Sequence, residues 1–156
     1  MSRPALAPLL LLAAACGTYS PLDSPFNRGV EFYDQGRLAD AIREYRRALE
    51  DEPDHYRARF NLAVCYHDLG RLDEAAALYE EVLRRRPDNA RAMVNLASVR
   101  AEQGRTGEAL ELFGRAARAD PDSGFPHSCL GAFYERQGDP ELALAAYRVS
   151  VEVEPA

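Results

Sequence analysis

Apolar residues recur along this chain at helical spacing in short stretches, and each stretch ends at a glycine or a proline. Glycine after an apolar stretch is typical of a helix that ends in the left-handed conformation. Proline stops a helix because it has no amide hydrogen and its ring clashes with the preceding turn. The pattern therefore predicts a repeated unit of helix, tight turn, helix and stop, with no β-strands.

Four kinds of residue recur in one order and one register with a period of 34 residues. The alanine comes early in each second helix, where its small side chain lets two helices approach. The aromatic residue lies one turn later on the same face and fills the space between hairpins. A single hairpin cannot bury its apolar side, so the repeats must stack on one another. The recurring residues are Gly36, Gly70, Gly104 and Gly138; Ala41, Ala75, Ala109 and Ala143; Tyr45, Tyr79, Phe113 and Tyr147; and Pro53, Pro87, Pro121 and Pro155.

This 34-residue motif resembles the tetratricopeptide repeat family. The resemblance implies an all-α fold, namely a right-handed α-solenoid of four helix-turn-helix hairpins, and a scaffold for protein–protein interaction rather than an enzyme. We set the array at residues 22–156. Its repeats are residues 22–55, 56–89, 90–123 and 124–156.

The resemblance also implies a concave groove, lined by the first helix of each repeat, that receives a protein or peptide ligand. Asn27, Asn61 and Asn95 recur in these helices, and two roles stay open for them: gripping an extended peptide backbone, or hydrogen bonding between helices. Arg57 and Arg91 are candidates to hold an acidic side chain. Carried over to this sequence, the predicted groove residues are Phe26, Asn27, Val30, Tyr33, Arg57, Phe60, Asn61, Val64, His67, Arg91, Val94 and Asn95.

The first residues of the chain have a different character. One positive charge, on Arg3, precedes an apolar run over residues 5–15. As a helix that run would rise about 16 Å, roughly half the hydrocarbon thickness of a bilayer, so it is too short to span a membrane. A positive start, a short apolar run and small residues at its end are typical of a secretory signal peptide. We assign residues 1–15 to this signal peptide.

The end of this segment resembles the lipobox of bacterial lipoproteins, which implies cleavage after Ala15 and lipid attachment to Cys16. Residues 16–21 would then be a membrane-proximal tether. Ala13 stands where such motifs usually have leucine, and the alanines also fit the small-residue rule of ordinary signal peptidase. Both interpretations place the cut after Ala15.

Charge and the scarcity of metal-binding residues exclude other function classes. The chain has 19 basic and 25 acidic residues and a net charge of −6, so a phosphate backbone is repelled and nucleic acid is not an expected partner. No pair among its 3 His and 3 Cys has zinc-ligand spacing. Cys65 and Cys129 lie two repeats apart, too far for a disulfide. We predict no metal, no cofactor and no catalytic residue.

The last helix and the first residues together indicate a cellular setting. We expect most apolar residues of the last helix to pack inside the repeat, and a strip that would face a fifth repeat to stay open for self-association or partner docking. These apolar residues are Leu142, Leu144, Tyr147, Val149, Val151 and Val153. Our interpretation is a lipid-anchored protein of the bacterial cell envelope, in the outer membrane and facing the periplasm. It would assist assembly of a multiprotein complex, and small lipoproteins of this architecture resemble the pilotins of type IV pilus secretins. The alternative is a soluble cytoplasmic or secreted adaptor with no membrane anchor.

Overall fold

The computed structural model describes residues 24–153 and contains eight helices and no strand within them. This confirms the prediction of an all-α array of four hairpins. The predicted signal peptide, the tether and Cys16 lie outside the described residues. The helices are α1 (Pro25–Asp34), α2 (Leu38–Asp51), α3 (Tyr56–Asp68), α4 (Leu72–Arg85), α5 (Ala90–Glu102), α6 (Thr106–Ala119), α7 (Phe125–Gln137) and α8 (Pro140–Val153).

The helix ends follow from local backbone chemistry. Ser24 caps α1, because its hydroxyl accepts a hydrogen bond of 3.2 Å from the backbone N–H of Asn27. Within each hairpin the two helices are joined at a glycine with φ between +70° and +83°, a conformation that side chains with a Cβ rarely adopt. The predicted bends are therefore confirmed at Gly36, Gly70, Gly104 and Gly138.

The predicted alanine and aromatic positions form the centre of the stack. Ala41, Ala75 and Ala109 are fully buried, and the three following aromatic rings are at most 1% exposed. The first and second helices of a hairpin approach so closely that a Cβ added at Gly29 would lie 2.6 Å from the ring of Tyr45. The aromatic residue of each hairpin thus fills the space against the next, which gives one continuous core along the array.

The hairpins stack so that the first helices lie on the inner side of the array. Helix α1 contacts α3, α3 contacts α5, and α5 contacts α7. Each second helix that precedes another hairpin contacts the first helix of that hairpin, and in the described part of the chain no second helix contacts another second helix. The first helices are therefore more closely spaced than the second helices, which makes their side the concave one.

Helix α8 has an apolar outer surface. Leu144 and Val151 are 52% and 68% exposed, although the residues at these positions in the second repeat, Ala76 and Leu83, are covered by the next hairpin or partly so. Leu142 is 49% exposed at a position where the three earlier repeats have acidic residues. The open strip that the sequence predicts is present on this helix.

Candidate functional site

The inner side of the first two repeats contains a cavity of about 640 Å³. It lies between α1 and α3 and reaches the start of α5. Its volume is in the range of sites that bind a peptide side chain or a small molecule. Seven of the predicted groove residues line it. The lining consists of Phe26, Asn27, Val30, Arg57, Phe60, Asn61 and Arg91, together with Tyr56 and Asn89.

A second cavity, of about 220 Å³, continues from the first toward the C-terminal ends of α1 and α3. Val30 and Asn61 line both cavities, so the two lie next to each other along α1 and α3. The predicted residues Tyr33 and Val64 lie in this second part. We refer to the two cavities together as the groove.

The floor of the larger cavity is a set of packed aromatic rings. Phe26 stacks on His55 with ring centroids 4.8 Å apart, and Phe60 meets the buried ring of Tyr79 edge-on at 5.5 Å. The guanidinium carbon of Arg57 lies 5.6 Å from the centre of the Phe26 ring. Because ring and cation contacts hold these side chains in place before a ligand arrives, the floor is preorganised.

Two of the predicted asparagines, Asn61 and Asn95, form hydrogen bonds between helices. The amide nitrogen of Asn61 donates to the hydroxyl of Tyr45 at 3.2 Å, and that of Asn95 donates to Tyr79 at the same distance. Each bond joins the second helix of one repeat to the first helix of the next. The bond uses one of the two N–H groups of the amide. Asn61 also lines both cavities, so at this residue the helix-pairing role and a ligand-contacting role are compatible.

Three predicted residues are placed differently from the expectation. The prediction that Val94 reaches the groove is wrong: its short side chain is 1% exposed and belongs to the core. His67 lines neither cavity, and its Nε2 lies 3.0 Å from a carboxylate oxygen of Glu102. Asn95 likewise lies outside both cavities.

Tyr56 and Asn89 line the larger cavity although the sequence did not single them out. Asn89 caps α5, because its side-chain oxygen accepts a hydrogen bond of 2.9 Å from the N–H of Ala92. A capping asparagine before a helix is common for reasons of helix stability alone. Its sequence position therefore did not indicate that it also faces the groove.

The groove has a basic rim and an acidic rim. Arg57 and Arg91, each the second residue of its helix, form the basic rim. Asp34, Asp68 and Glu102, each the last residue of its helix, form the acidic rim. At about 1.5 Å per residue, the two rims are separated by roughly 16 Å along α3.

Bonds between neighbouring repeats hold the acidic rim together. The hydroxyl of Tyr33 donates to Asp68 at 2.9 Å, and His67 contacts Glu102 one repeat later. Burial and the bond to Asp68 raise the pKa of Tyr33 to about 12, so this hydroxyl keeps its proton at neutral pH. The acidic rim is therefore a fixed row of carboxylates at the edge of the groove.

The charges of both rims lie at the helix ends where the backbone dipole disfavours them. A cation near a helix N-terminus, or an anion near a C-terminus, is disfavoured by about 0.3–1 kcal/mol. All four second helices have acidic residues in their first turns, and α4 and α6 have arginines in their last turns, whereas α2 ends in Glu50 and Asp51. Helices α1, α3 and α5 have no acidic residue in their first turn. The arginines in the first turns of α3 and α5 thus lie where helix stability favours a carboxylate.

The described residues contain no metal-ligand cluster, and their buried Cys65 thiol is not activated. Residues 24–153 hold no cluster of His, Cys, Asp or Glu that fits a metal ion. Burial raises the pKa of the Cys65 thiol to about 12, which leaves it protonated and unreactive at neutral pH. In the same part of the chain, no helix has the length and apolar character needed to cross a membrane.

Stacked helical hairpins with a groove on their inner side define an α-solenoid. The chain belongs to the tetratricopeptide repeat family, whose sequence profiles match residues 26–83, 68–124 and 125–148. No curated protein sequence matches the chain significantly.

Several solved structures share the fold. TTC0263, a thermophilic tetratricopeptide repeat protein of Thermus thermophilus, superposes with a TM-score of 0.74 at 24% identity, over 83% of this chain and 73% of that one. A MamA segment from Desulfovibrio magneticus gives a TM-score of 0.72 at 21% identity, with the same coverage of 83% and 73%. A further MamA structure gives 0.67 at 22% identity, over 81% and 74% of the two chains. Identities this low establish the common fold and nothing about ligands.

Proposed function

We propose that this protein is a scaffold that holds an extended segment of a partner polypeptide in the groove of its first two repeats. The observation that carries the proposal is the pair of adjoining cavities, with an aromatic floor and exposed charged residues on their rims. Membership of a family whose repeats bind proteins supports it. The protein would act by binding alone and would catalyse no reaction.

Photocrosslinking from the groove tests this proposal. A benzoylphenylalanine in place of Tyr56, which lines the larger cavity, should crosslink a discrete partner in cells. The matched control carries the same group in place of Arg118, an exposed residue of the outward helix α6. Phe60→Ala, which removes part of the cavity floor, should abolish the crosslink at Tyr56. Equal crosslinking from both positions, or a crosslink that survives Phe60→Ala, would count against the groove as the binding site.

For the cellular setting, we propose that the chain is cut after Ala15 and anchored to a membrane by lipid on Cys16. The apolar run over residues 5–15, followed by small residues and a cysteine, supports this proposal. Labelling with a palmitate analogue tests it: the wild type should incorporate label and sediment with membranes, and Cys16→Ala should do neither. If the wild type stays unlabelled and soluble, the protein is instead a cytoplasmic or secreted adaptor.

The wider role that we propose is assembly of a multiprotein complex at the bacterial outer membrane, with type IV pilus biogenesis as the first hypothesis to test. It depends on the lipid anchor and on the groove together. Deletion of the gene should reduce surface pili, and a groove variant that still reaches the membrane should reproduce the defect. Normal piliation in the deletion strain would rule out the pilus hypothesis while leaving the scaffold proposal in place.

We also propose that copies of the protein associate through α8. Leu144 and Val151, exposed by half or more at positions that earlier repeats bury against the next hairpin, support this. Light scattering should show a concentration-dependent dimer that Leu144→Glu/Val151→Glu converts to a monomer. A wild-type protein that stays monomeric at high concentration would refute self-association.

A further inference from the structure

We infer that the groove selects an extended acidic segment, in which two carboxylates bind the basic rim and a large apolar side chain between them enters the 640 Å³ cavity. This inference rests on the proposed function and specifies the chemistry of its partner. It follows from the positions of the charges around the groove.

The two arginines of the basic rim have no carboxylate of their own. Within residues 24–153, Arg57 and Arg91 form no ion pair, whereas Arg59 pairs with Glu81. Both are exposed at the edge of the cavity. In a chain with a net charge of −6, two neighbouring cations without acidic partners form a local positive surface beside the groove.

The two arginines also occupy unfavourable positions on their own helices. Each lies in the first turn of a first helix, where the dipole favours an anion. The second helices of the same chain carry acidic residues in the corresponding turn. A bound carboxylate would relieve the unfavourable placement at both arginines.

The distance between the two arginines matches the spacing of carboxylates along an extended peptide. Arg57 and Arg91 are one repeat apart on neighbouring helices, and packed helices are separated by about 8–10 Å. An extended chain advances about 3.3 Å per residue, so carboxylates two to four positions apart reach both guanidinium groups. The side chain between them then points to the floor formed by Phe26, Val30 and Phe60.

The acidic rim gives the groove a direction. A ligand that lies with its carboxylates toward Arg57 and Arg91 keeps them roughly 16 Å from Asp68. The reversed placement brings its carboxylates against a row of fixed carboxylates. Like charges at close range are disfavoured, so the two rims together exclude acidic side chains from the side of Asp34 and Asp68 and admit basic ones there.

The inference is tested by panning a displayed library of random twelve-residue peptides against the full chain. The groove variant is Arg57→Glu/Arg91→Glu. The matched control is Arg115→Glu/Arg118→Glu, which changes the net charge equally on helix α6, outside the groove. Circular dichroism melts confirm that all the proteins fold.

We expect the wild type and the control to enrich peptides with two acidic residues flanking an aromatic or large aliphatic one. The groove variant should lose this preference and enrich basic residues instead. For one selected peptide, affinity should fall roughly tenfold in the double variant and about two- to fivefold for each single arginine replaced by alanine, because exposed ion pairs are individually weak. Added salt should weaken wild-type binding.

The other outcomes distinguish a failure of the acidic preference from a failure of the groove as a binding site. Peptides that depend on Phe60 but show no acidic preference, or that bind the groove variant equally well, would overturn the inference and leave the scaffold proposal standing. If no peptide is enriched, or binding is indifferent to both Phe60→Ala and Arg57→Glu/Arg91→Glu, the inference and the proposed groove both fail.

Discussion

The junctions between repeats differ by one hydrogen bond, and this difference can be tested by transplanting the bond. Tyr45 and Asn61 pair at the first junction, and Tyr79 and Asn95 at the second, each at 3.2 Å. At the third junction the corresponding residues are Phe113 and Cys129. The hydroxyl and its amide donor are therefore missing together, and Phe113 instead meets Phe133 with ring centroids 5.7 Å apart.

The perturbation is the double variant Phe113→Tyr/Cys129→Asn, compared with its two single variants. The Phe113 ring is 1% exposed, so a lone hydroxyl there would be buried without a partner and should destabilise by about 1–3 kcal/mol. Cys129→Asn alone places an unpaired amide in a half-buried position and should cost about 1 kcal/mol. Together the two groups form a bond with a net contribution of about 0.5–1.5 kcal/mol.

The expected coupling energy between the two substitutions is therefore at least the sum of the two single costs, about 2–4 kcal/mol, with the double variant at least as stable as the wild type. Urea denaturation followed by circular dichroism gives the four stabilities of the cycle. Hydrogen exchange in α7 and α8 shows whether the change acts at the third junction, where protection should rise in the double variant alone.

The reverse exchange at the second junction is the control. Tyr79→Phe/Asn95→Cys removes a bond that the wild type has and should destabilise the protein by about 1 kcal/mol. Single variants at Phe113 and Cys129 whose effects simply add, within about 0.5 kcal/mol, would refute the reasoning that the two residues form one unit.

Three further predictions follow from the same structure. Gly29→Ala should destabilise by about 1–3 kcal/mol in thermal unfolding, because its Cβ would lie 2.6 Å from the Tyr45 ring; Gly107→Ala, with open space around it, should be neutral or stabilising. Gly104→Ala should destabilise by about 1–2 kcal/mol in the same assay although nothing lies near it, because its φ is +76°. Cys65, whose pKa burial raises to about 12, should resist iodoacetamide at about pH 8 until urea unfolds the protein; rapid native labelling found by peptide mapping would contradict this.

The features that the sequence predicted well are those governed by local chemistry or by the period. A glycine at each bend and the inward face of the first helices both depend on residues close in the chain or at equivalent phase. Phe26 and Phe60 could be placed in the groove because side chains at the same helical phase point the same way in every stacked repeat. The fold and most of the larger cavity were thus accessible from the sequence.

The error arises where equivalent positions carry side chains of unequal length. Val94 occupies the same phase as Phe26 and Phe60, yet its shorter side chain is 1% exposed and stays within the core. The charge pattern of the groove could be recognised only in the structure. The roles of Arg57 and Asp68 depend on how the ends of neighbouring helices align along one groove, which the sequence does not give. The Tyr–Asn pairing, by contrast, is detectable in the sequence, because the tyrosine hydroxyl and the asparagine are replaced together at the third junction.

The Tyr–Asn pairing connects the stability of the stack with the shape of the groove. Asn61 joins the first two repeats through Tyr45 and also lines both cavities, so the atoms that fix the angle between these hairpins are the atoms that line the groove. The Phe60 ring rests on Tyr79, which forms the corresponding bond at the next junction. Because folding has already fixed these side chains, a ligand that enters the groove need not order them, and more of its contact energy remains as affinity. The groove lies along the two junctions that keep the Tyr–Asn bond, which is the arrangement expected if a rigid receptor surface depends on that bond.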